Sequence, residues 1–375
     1  MFVHTLQKRT LTTGAVAVGL TAACCVLLGY PAAVSTGISR GLSICSAVII
    51  PTLYPFMLLA GILADSPLCR RPGRAAEWIA RRLFGLPGCC APAILLSLVG
   101  GYPAGALAIA RLYRQEQIDR AQVRRMTAFC VNGGPGFIIS TVGAGLLGSV
   151  QAGMVLCAAQ MAVSLGIGIY LGKGHRRQSE TTTAPVLPPP RPAAQMVGDT
   201  CGALLTMCGF VVLAAALLSL SEAMGVARGI AAATGVAAGS VSALLAAILE
   251  VSCGCIALAG ADGLTPLWLS LALSWGGLSV QGQLAAALPG ERLLTPRFWI
   301  WRLVHGCCSG GVALILFHLF PPDRATVGGS PAPLPYSVSA AASLMLLFLS
   351  FLTMLCFSEK KAGKNEQGVV YWSKR

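Results

Sequence analysis

Glu250 stands in the run Ala246-Ala247-Ile248-Leu249-Glu250-Val251-Ser252, an acid inside an apolar stretch. An acid placed in hydrocarbon is costly and marks a functional position by default. It can hold a coupling cation or a proton, or hydrogen-bond a substrate, with Ser252 at its flank; the bland alternative is a wet loop tip. A second candidate is Asn132-Gly133-Gly134-Pro135-Gly136. Three glycines and a proline interrupt helical hydrogen bonding. Such backbone survives in a membrane only when buried in protein or facing a wet cavity. A helix beginning there presents N–H donors to an anion, and Asn132 adds an amide donor and acceptor. A kink filled by a neighbouring helix is the competing reading. Gly100-Gly101-Tyr102-Pro103 is a third interruption, with Tyr102 as a side-chain contact and the glycines as backbone contacts. Ser279, Gln281 and Gln283 form the last polar group. Ser279 and Gln283 share a helix face, so substrate contacts and interhelical hydrogen bonds weigh equally.

Other chemistries find no support in the residues. No Ser/His/Asp or two-carboxylate constellation is visible, so no enzyme is expected. The absence of a Walker A sequence excludes ATP-driven transport by this chain. Gly143-Ala144-Gly145-Leu146-Leu147-Gly148 matches G-x-G-x-x-G but has no strand context. That run and Gly235-x-x-x-Gly239 are expected to permit close helix packing. The 15 cysteines include no C-x-x-C, and the 4 histidines lie far from a finger spacing. The cysteines are expected to pack as small hydrophobes, with no metal site and no cofactor. His305 and His318 read as packing or interfacial residues.

Composition says what must position these residues. Only 11% of the 375 residues are charged and 55% are apolar, with mean hydropathy +0.73. A soluble globular chain carries about 25% charged residues. The net charge of +14 sits between long apolar runs, so it points to membrane orientation and away from nucleic acid. Ten apolar runs are visible, at 11–30, 41–64, 89–110, 126–147, 150–172, 201–221, 234–259, 264–288, 303–320 and 337–357. Glu250 is their single formal charge.

Five arginines lie in 65–88 and five more in 111–125, with one apolar run between them. Both short loops belong inside by the positive-inside rule. Run 89–110 must then enter and return on the same side, with its tip at the Gly100–Gly105 interruption. With 234–259 as a second hairpin opening outward, both termini are cytoplasmic and only Arg40, Arg228 and Arg324 fall outside. Arg292, Arg297 and Arg302 count as one inner cluster in this scheme.

The expected architecture is therefore an all-α polytopic membrane protein. It has about eight transmembrane helices and two re-entrant hairpins in two inverted-topology repeats. The divisions are an N-terminal anchor helix (1–40), a first repeat (41–172) with hairpin 89–110, and a Pro-rich cytoplasmic linker (173–198). A second repeat (199–320) with hairpin 234–259, an extra transmembrane helix (321–357) and a basic cytoplasmic tail (358–375) follow. Gly105-Ala106-Leu107-Ala108-Ile109-Ala110 echoes Gly254-Cys255-Ile256-Ala257-Leu258-Ala259, and Gly133-Gly134 echoes Gly276-Gly277. Segment 74–86 suits an interfacial helix, and Asp119 with Gln122 resembles a capping box.

The stretches 100–148, 249–260 and 275–284 resemble the YlbJ-type sporulation integral membrane proteins of the nucleoside-recognition Gate group. That group is related in architecture to concentrative nucleoside transporters, and the resemblance covers roughly residues 40–320. It implies a mother-cell protein of the outer forespore membrane, needed for spore maturation and cortex, that moves dipicolinic acid. Dipicolinate is a planar dianion, which suits helix N-termini at paired breaks. The expected substrate-binding set is Gly100, Gly101, Tyr102, Pro103, Asn132, Gly133, Gly134, Glu250, Ser252, Ser279 and Gln281. A nucleoside carrier of the same fold and a membrane scaffold for cortex assembly are the alternatives. The coupling ion and oligomeric state are left open.

Overall fold

A computed structural model of the protein describes residues 18–22, 24–66, 73–175, 192–260, 264–288 and 294–321. Residues 11–17 and 23 of the anchor run, the centre of the linker 173–198, the run 337–357 and the tail 358–375 lie outside these residues. All the described secondary structure is helical. Five helices are long and apolar enough to cross a membrane by length and composition: Pro31–Asp65, Gly88–Arg114, Val150–Gly172, Ala193–Ala223 and Pro296–Leu319.

The first long helix, α1 (Pro31–Asp65), starts at a proline, whose fixed φ and missing N–H suit a first turn. Its π turn at Cys45–Ile49 directly precedes Pro51 and Pro55, residues that cannot donate to the helical ladder. Residues 31–40, expected as an outer connection, are helical, and Arg40 is an exposed residue on that helix. The 35 residues span about 52 Å, well beyond a hydrocarbon core of about 30 Å, so the extra turns can carry Arg40 clear of it. Gly37 and Gly41 bring α1 against α7 (Ala193–Ala223) in antiparallel contact, beside Ala216 and Val212 respectively. The start of α7 also turns the last residues of the expected linker 173–198 into helix.

The basic segment forms α2 (Arg74–Phe84), which ends on Gly85 and stacks Phe84 on Phe129 at 5.4 Å. Trp78 and Ile79 remain exposed beside Arg81 and Arg82. The next helix, α3 (Ala91–Arg114), is two arms folded back at Gly101. In one continuous helix Ser97 and Gly105 would stand about 12 Å apart. Here a Cβ on Gly105 would lie 3.0 Å from that of Ser97. Asp119 and Gln122 make the expected reciprocal cap at the start of α4 (Arg120–Phe129). The chain is non-helical from Cys130 to Gly134 and resumes as the π-helical α5 (Gly136–Leu146). Ser149 caps α6 (Val150–Gly172), and Gly143 of α5 packs on Gly153 of α6. The other predicted packing pair fails. Gly235 and Gly239 have nothing within 4 Å of a Cβ position, so among the described residues no helix is drawn close there.

After α7 comes a short helix, α8 (Val226–Thr234). Then α9 (Ala238–Leu249) and α10 (Val251–Leu258) fold back on each other at Glu250. A Cβ on Gly254 would lie 2.4 Å from the Ala247 Cα, which a straight helix would hold about 10 Å away. Next, α11 (Thr265–Trp275) and α12 (Gly277–Ala287) are separated at Gly276, and α13 (Pro296–Leu319) closes the described fold. Gly306 and Gly310 let α13 lie antiparallel on α11, against Leu271 and Leu267. In each half, a helix folded back on itself is therefore followed by a helix broken near its middle.

Basic side chains close helix ends around this frame. Arg114 donates to the Ala287 carbonyl at the end of α12 (2.8 Å), and Arg125 donates to the Gly85 carbonyl just beyond α2 (2.9 Å). Arg111 pairs with Asp65 at 3.3 Å, the Asp65 side chain being only 4% exposed. Asp65→Asn keeps the shape and removes the charge. It should cost about 1.5–3 kcal/mol, the range for losing a hydrogen bond to a charged group. Thermal unfolding in detergent, followed with a thiol-reactive dye on the buried cysteines, should show a lower midpoint; an unchanged midpoint would mean that the pair contributes nothing.

Candidate functional site

The four interruptions meet in two pairs. In the first half, the fold-back at Gly101 rests on the α4–α5 break, where a Cβ on Gly101 would lie 2.9 Å from the Gly134 nitrogen. In the second, the fold-back at Glu250 rests on the α11–α12 break, where a Cβ on Gly277 would lie 2.8 Å from the Glu250 Cα. Gly101 has φ +75° and ψ −164°, a region essentially reserved for glycine, and Gly277 has φ +72°. These conformations let backbone lie on backbone.

Tyr102 joins the pairs. Its hydroxyl donates to the Leu273 carbonyl near the end of α11. The same hydroxyl would lie 3.2 Å from a Cβ on Gly133, and the ring 3.6 Å from one on Gly276. Glu250 is 2% exposed, and its carboxylate accepts the Cys253 N–H at 2.8 Å, capping α10 from the fold-back. Ser252 is buried in the first turn of α10. Asn132 is fully buried; its amide nitrogen donates to the Phe129 carbonyl (2.6 Å) and the Ser164 hydroxyl (2.8 Å). Its carbonyl oxygen has no protein partner.

The structure thus gathers Gly101, Tyr102, Gly133 and Gly134 in one place, with Gly100, Pro103 and Asn132 adjoining in sequence. Glu250 and Ser252 belong to the second pair. Ser279 and Gln281 are buried on α12, but Gln281 turns its carbonyl oxygen to the Trp299 indole N–H of α13 at 3.0 Å. That contact is an interhelical hydrogen bond. The Ser279 hydroxyl, the Gln281 amide nitrogen and the Gln283 amide oxygen have no partner.

Sequence reasoning misses a second polar centre beside these breaks. Gln160 of α6 donates to the Ser270 carbonyl and the Ser309 hydroxyl, both at 3.0 Å, and accepts from the Ser274 hydroxyl at 3.1 Å. One buried amide thereby ties α6, α11 and α13 together. The His305 Nε2 lies 3.0 Å from the Gln160 backbone carbonyl, so that nitrogen must carry a proton. The largest departure is Arg302. Counted above with the charges of an inner connection, it lies within α13 at 1% exposure. Its guanidinium donates to the carbonyls of Ala128 and Val131, at the end of α4 and in the break beyond it. It also lies over the Phe298 ring at 5.9 Å. The signal available in sequence is the i, i+3, i+7 series Arg302, His305, Ser309, which puts three polar groups on one face of an apolar helix.

This arrangement of long apolar helices is that of an integral membrane protein, and a curated relative carries the same description. The chain is similar to the sporulation integral membrane protein YlbJ of Bacillus subtilis (strain 168). The two are 25% identical over 323 residues, which cover 78% of this chain and 79% of the relative. No family model matches the sequence, and no solved structure matches it.

Proposed function

We propose that the protein is a membrane transporter or facilitator for a small anionic metabolite, working in spore formation. The observation that carries this reading is the paired arrangement of fold-backs and breaks, joined through Tyr102. Interrupted helices facing one another near the bilayer midplane are how many transporters expose backbone dipoles to a substrate. In this reading α3 and the α9–α10 pair are re-entrant hairpins, and residues 41–172 and 199–320 are inverted repeats. Two pairings between equivalent helices support it: α1 lies on α7, and α6 lies on α13 through Gln160.

Dipicolinate is the proposed substrate and the outer forespore membrane the proposed location, with both termini cytoplasmic. The similarity to a sporulation membrane protein supports the setting. The dianion's chemistry fits a site of helix ends and amide groups.

Uptake of dipicolinate into liposomes carrying the full-length protein tests the reading, beside an Asn132→Ala plus Glu250→Gln variant. Saturable uptake by the wild type, reduced at least tenfold in a folded variant, is the expected result. If the correctly inserted wild type takes up no dipicolinate with or without ion gradients, this reading fails. Uridine uptake in the same vesicles would then favour a nucleoside carrier, and uptake of neither would favour a scaffold.

A further inference from the structure

Arg302 is a permanently charged side chain in the protein interior. Neither of the ion pairs among the described residues involves it. Burying a guanidinium without a counter-charge costs several kcal/mol even after relaxation. The Ala128 and Val131 carbonyls and the Phe298 ring offset part of that cost, since a helix end carries partial negative charge and an aromatic face attracts a cation. The offset is incomplete in two respects. Carbonyl dipoles supply no full negative charge, and the Nε–H of Arg302 is buried with no acceptor.

Its neighbours are also unfinished. The Asn132 Oδ1, one residue beyond the Val131 carbonyl that Arg302 holds, has no donor. The His305 Nδ1, one turn along α13 from Arg302, has none either. The hydrogen-bond partners fix both groups as acceptors. The Asn132 amide nitrogen already donates twice, and the neutral His305 ring carries its proton on Nε2. One buried cation with a free N–H and two flanking buried acceptors thus lie beside the first break.

We infer that Arg302, with Asn132 and His305 beside it, forms a carboxylate-binding site at the α4–α5 break. The guanidinium takes a carboxylate oxygen of the ligand through its free N–H and supplies the full counter-charge. Asn132 Oδ1 and His305 Nδ1 accept hydrogen bonds from ordered water, which turns its second hydrogen to the bound carboxylate. A guanidinium suits this role because it stays protonated and can hold the two carbonyls through its terminal nitrogens while its Nε–H is left for the ligand. This inference rests on the transport reading above and assigns the residue that selects negative charge.

The test compares dipicolinate with its neutral diamide, pyridine-2,6-dicarboxamide, which keeps the shape, removes the charge and adds N–H donors. Binding is measured by calorimetry on full-length protein in nanodiscs, for wild type, Arg302→Lys and Arg302→Gln, with vesicle uptake of dipicolinate measured in parallel. Wild type should prefer the dicarboxylate. In Arg302→Gln that preference should fall at least tenfold while diamide binding stays within threefold, and Arg302→Lys should be intermediate. A purely structural arginine would weaken both ligands together. A folded Arg302→Gln protein that keeps its preference overturns the inference while leaving transport intact, whereas absent uptake by the wild type overturns the transport reading itself. If both variants fail to fold, phenylglyoxal modification of wild type, mapped by mass spectrometry, decides. Dipicolinate should protect Arg302 at least threefold and the diamide should not; equal modification with both ligands, or none at all, overturns the inference.

Discussion

A Gly101→Ala protein is expected to reach the membrane and lose at least tenfold of its uptake rate. The residue adopts φ +75° and ψ −164°, where a side chain costs about 1–3 kcal/mol. The added methyl would also lie 2.9 Å from the Gly134 nitrogen and 3.1 Å from its Cα. Those atoms are backbone, so no rotamer change relieves the contact. The fold-back must lift from the α4–α5 break, and Tyr102, the next residue, must lose its register with the Leu273 carbonyl. Gly166→Ala is the matched control, because nothing lies within 4 Å of a Cβ there. Initial uptake rates in vesicles of equal protein content check this. Equal rates for the two variants would show that contact between fold-back and break is irrelevant to transport.

The equivalent change in the other half, Gly277→Ala, is expected to have the larger structural effect. Its methyl would meet the Glu250 Cα at 2.8 Å and the Glu250 nitrogen and Leu249 carbonyl at 2.9 Å, at a residue with φ +72°. A left-handed non-glycine residue costs about 1–2 kcal/mol before any clash is counted. Relief requires the α9–α10 fold-back to move away. Cys253 and Cys255 are buried in α10, at 3% and 0% exposure, and both are free thiols. Their alkylation by N-ethylmaleimide in the inserted protein should accelerate at least tenfold in Gly277→Ala. An unchanged rate would show that the fold-back does not depend on the close approach at Gly277.

Three of the four interruptions, both fold-backs and the α4–α5 break, are legible in sequence because glycine, proline and a lone acid are unusual inside apolar runs. Gly100–Gly105 and Glu250 mark where the chain turns back, and Asn132–Gly136 marks the first broken helix. Gly276–Gly277 is visible only through its echo of Gly133–Gly134. Local chemistry also reads correctly at Asp119 and Gln122, whose reciprocal cap needs nothing beyond four consecutive residues.

What composition conceals is long-range pairing. Arg302 sits beside an apolar run and is indistinguishable by position from Arg292 and Arg297. Its burial is set by carbonyls more than 170 residues earlier in the chain. Gln160 is equally silent in a helix of alternating small and apolar residues, and its three partners come from α11 and α13. The pair Gly235 and Gly239 errs in the opposite direction. The spacing permits close approach, but no described helix comes to use it.

Arg114 and Arg125 each hold a carbonyl at or just beyond the end of another helix, as Arg302 holds those at the end of α4 and in the following break. Arginines flanking membrane segments also bias which end of a nascent segment is retained during insertion. Charges of that kind would here serve a second time, as the groups that clamp neighbouring helices. A segment inserted in the opposite sense to its neighbours would place its arginine away from these carbonyls.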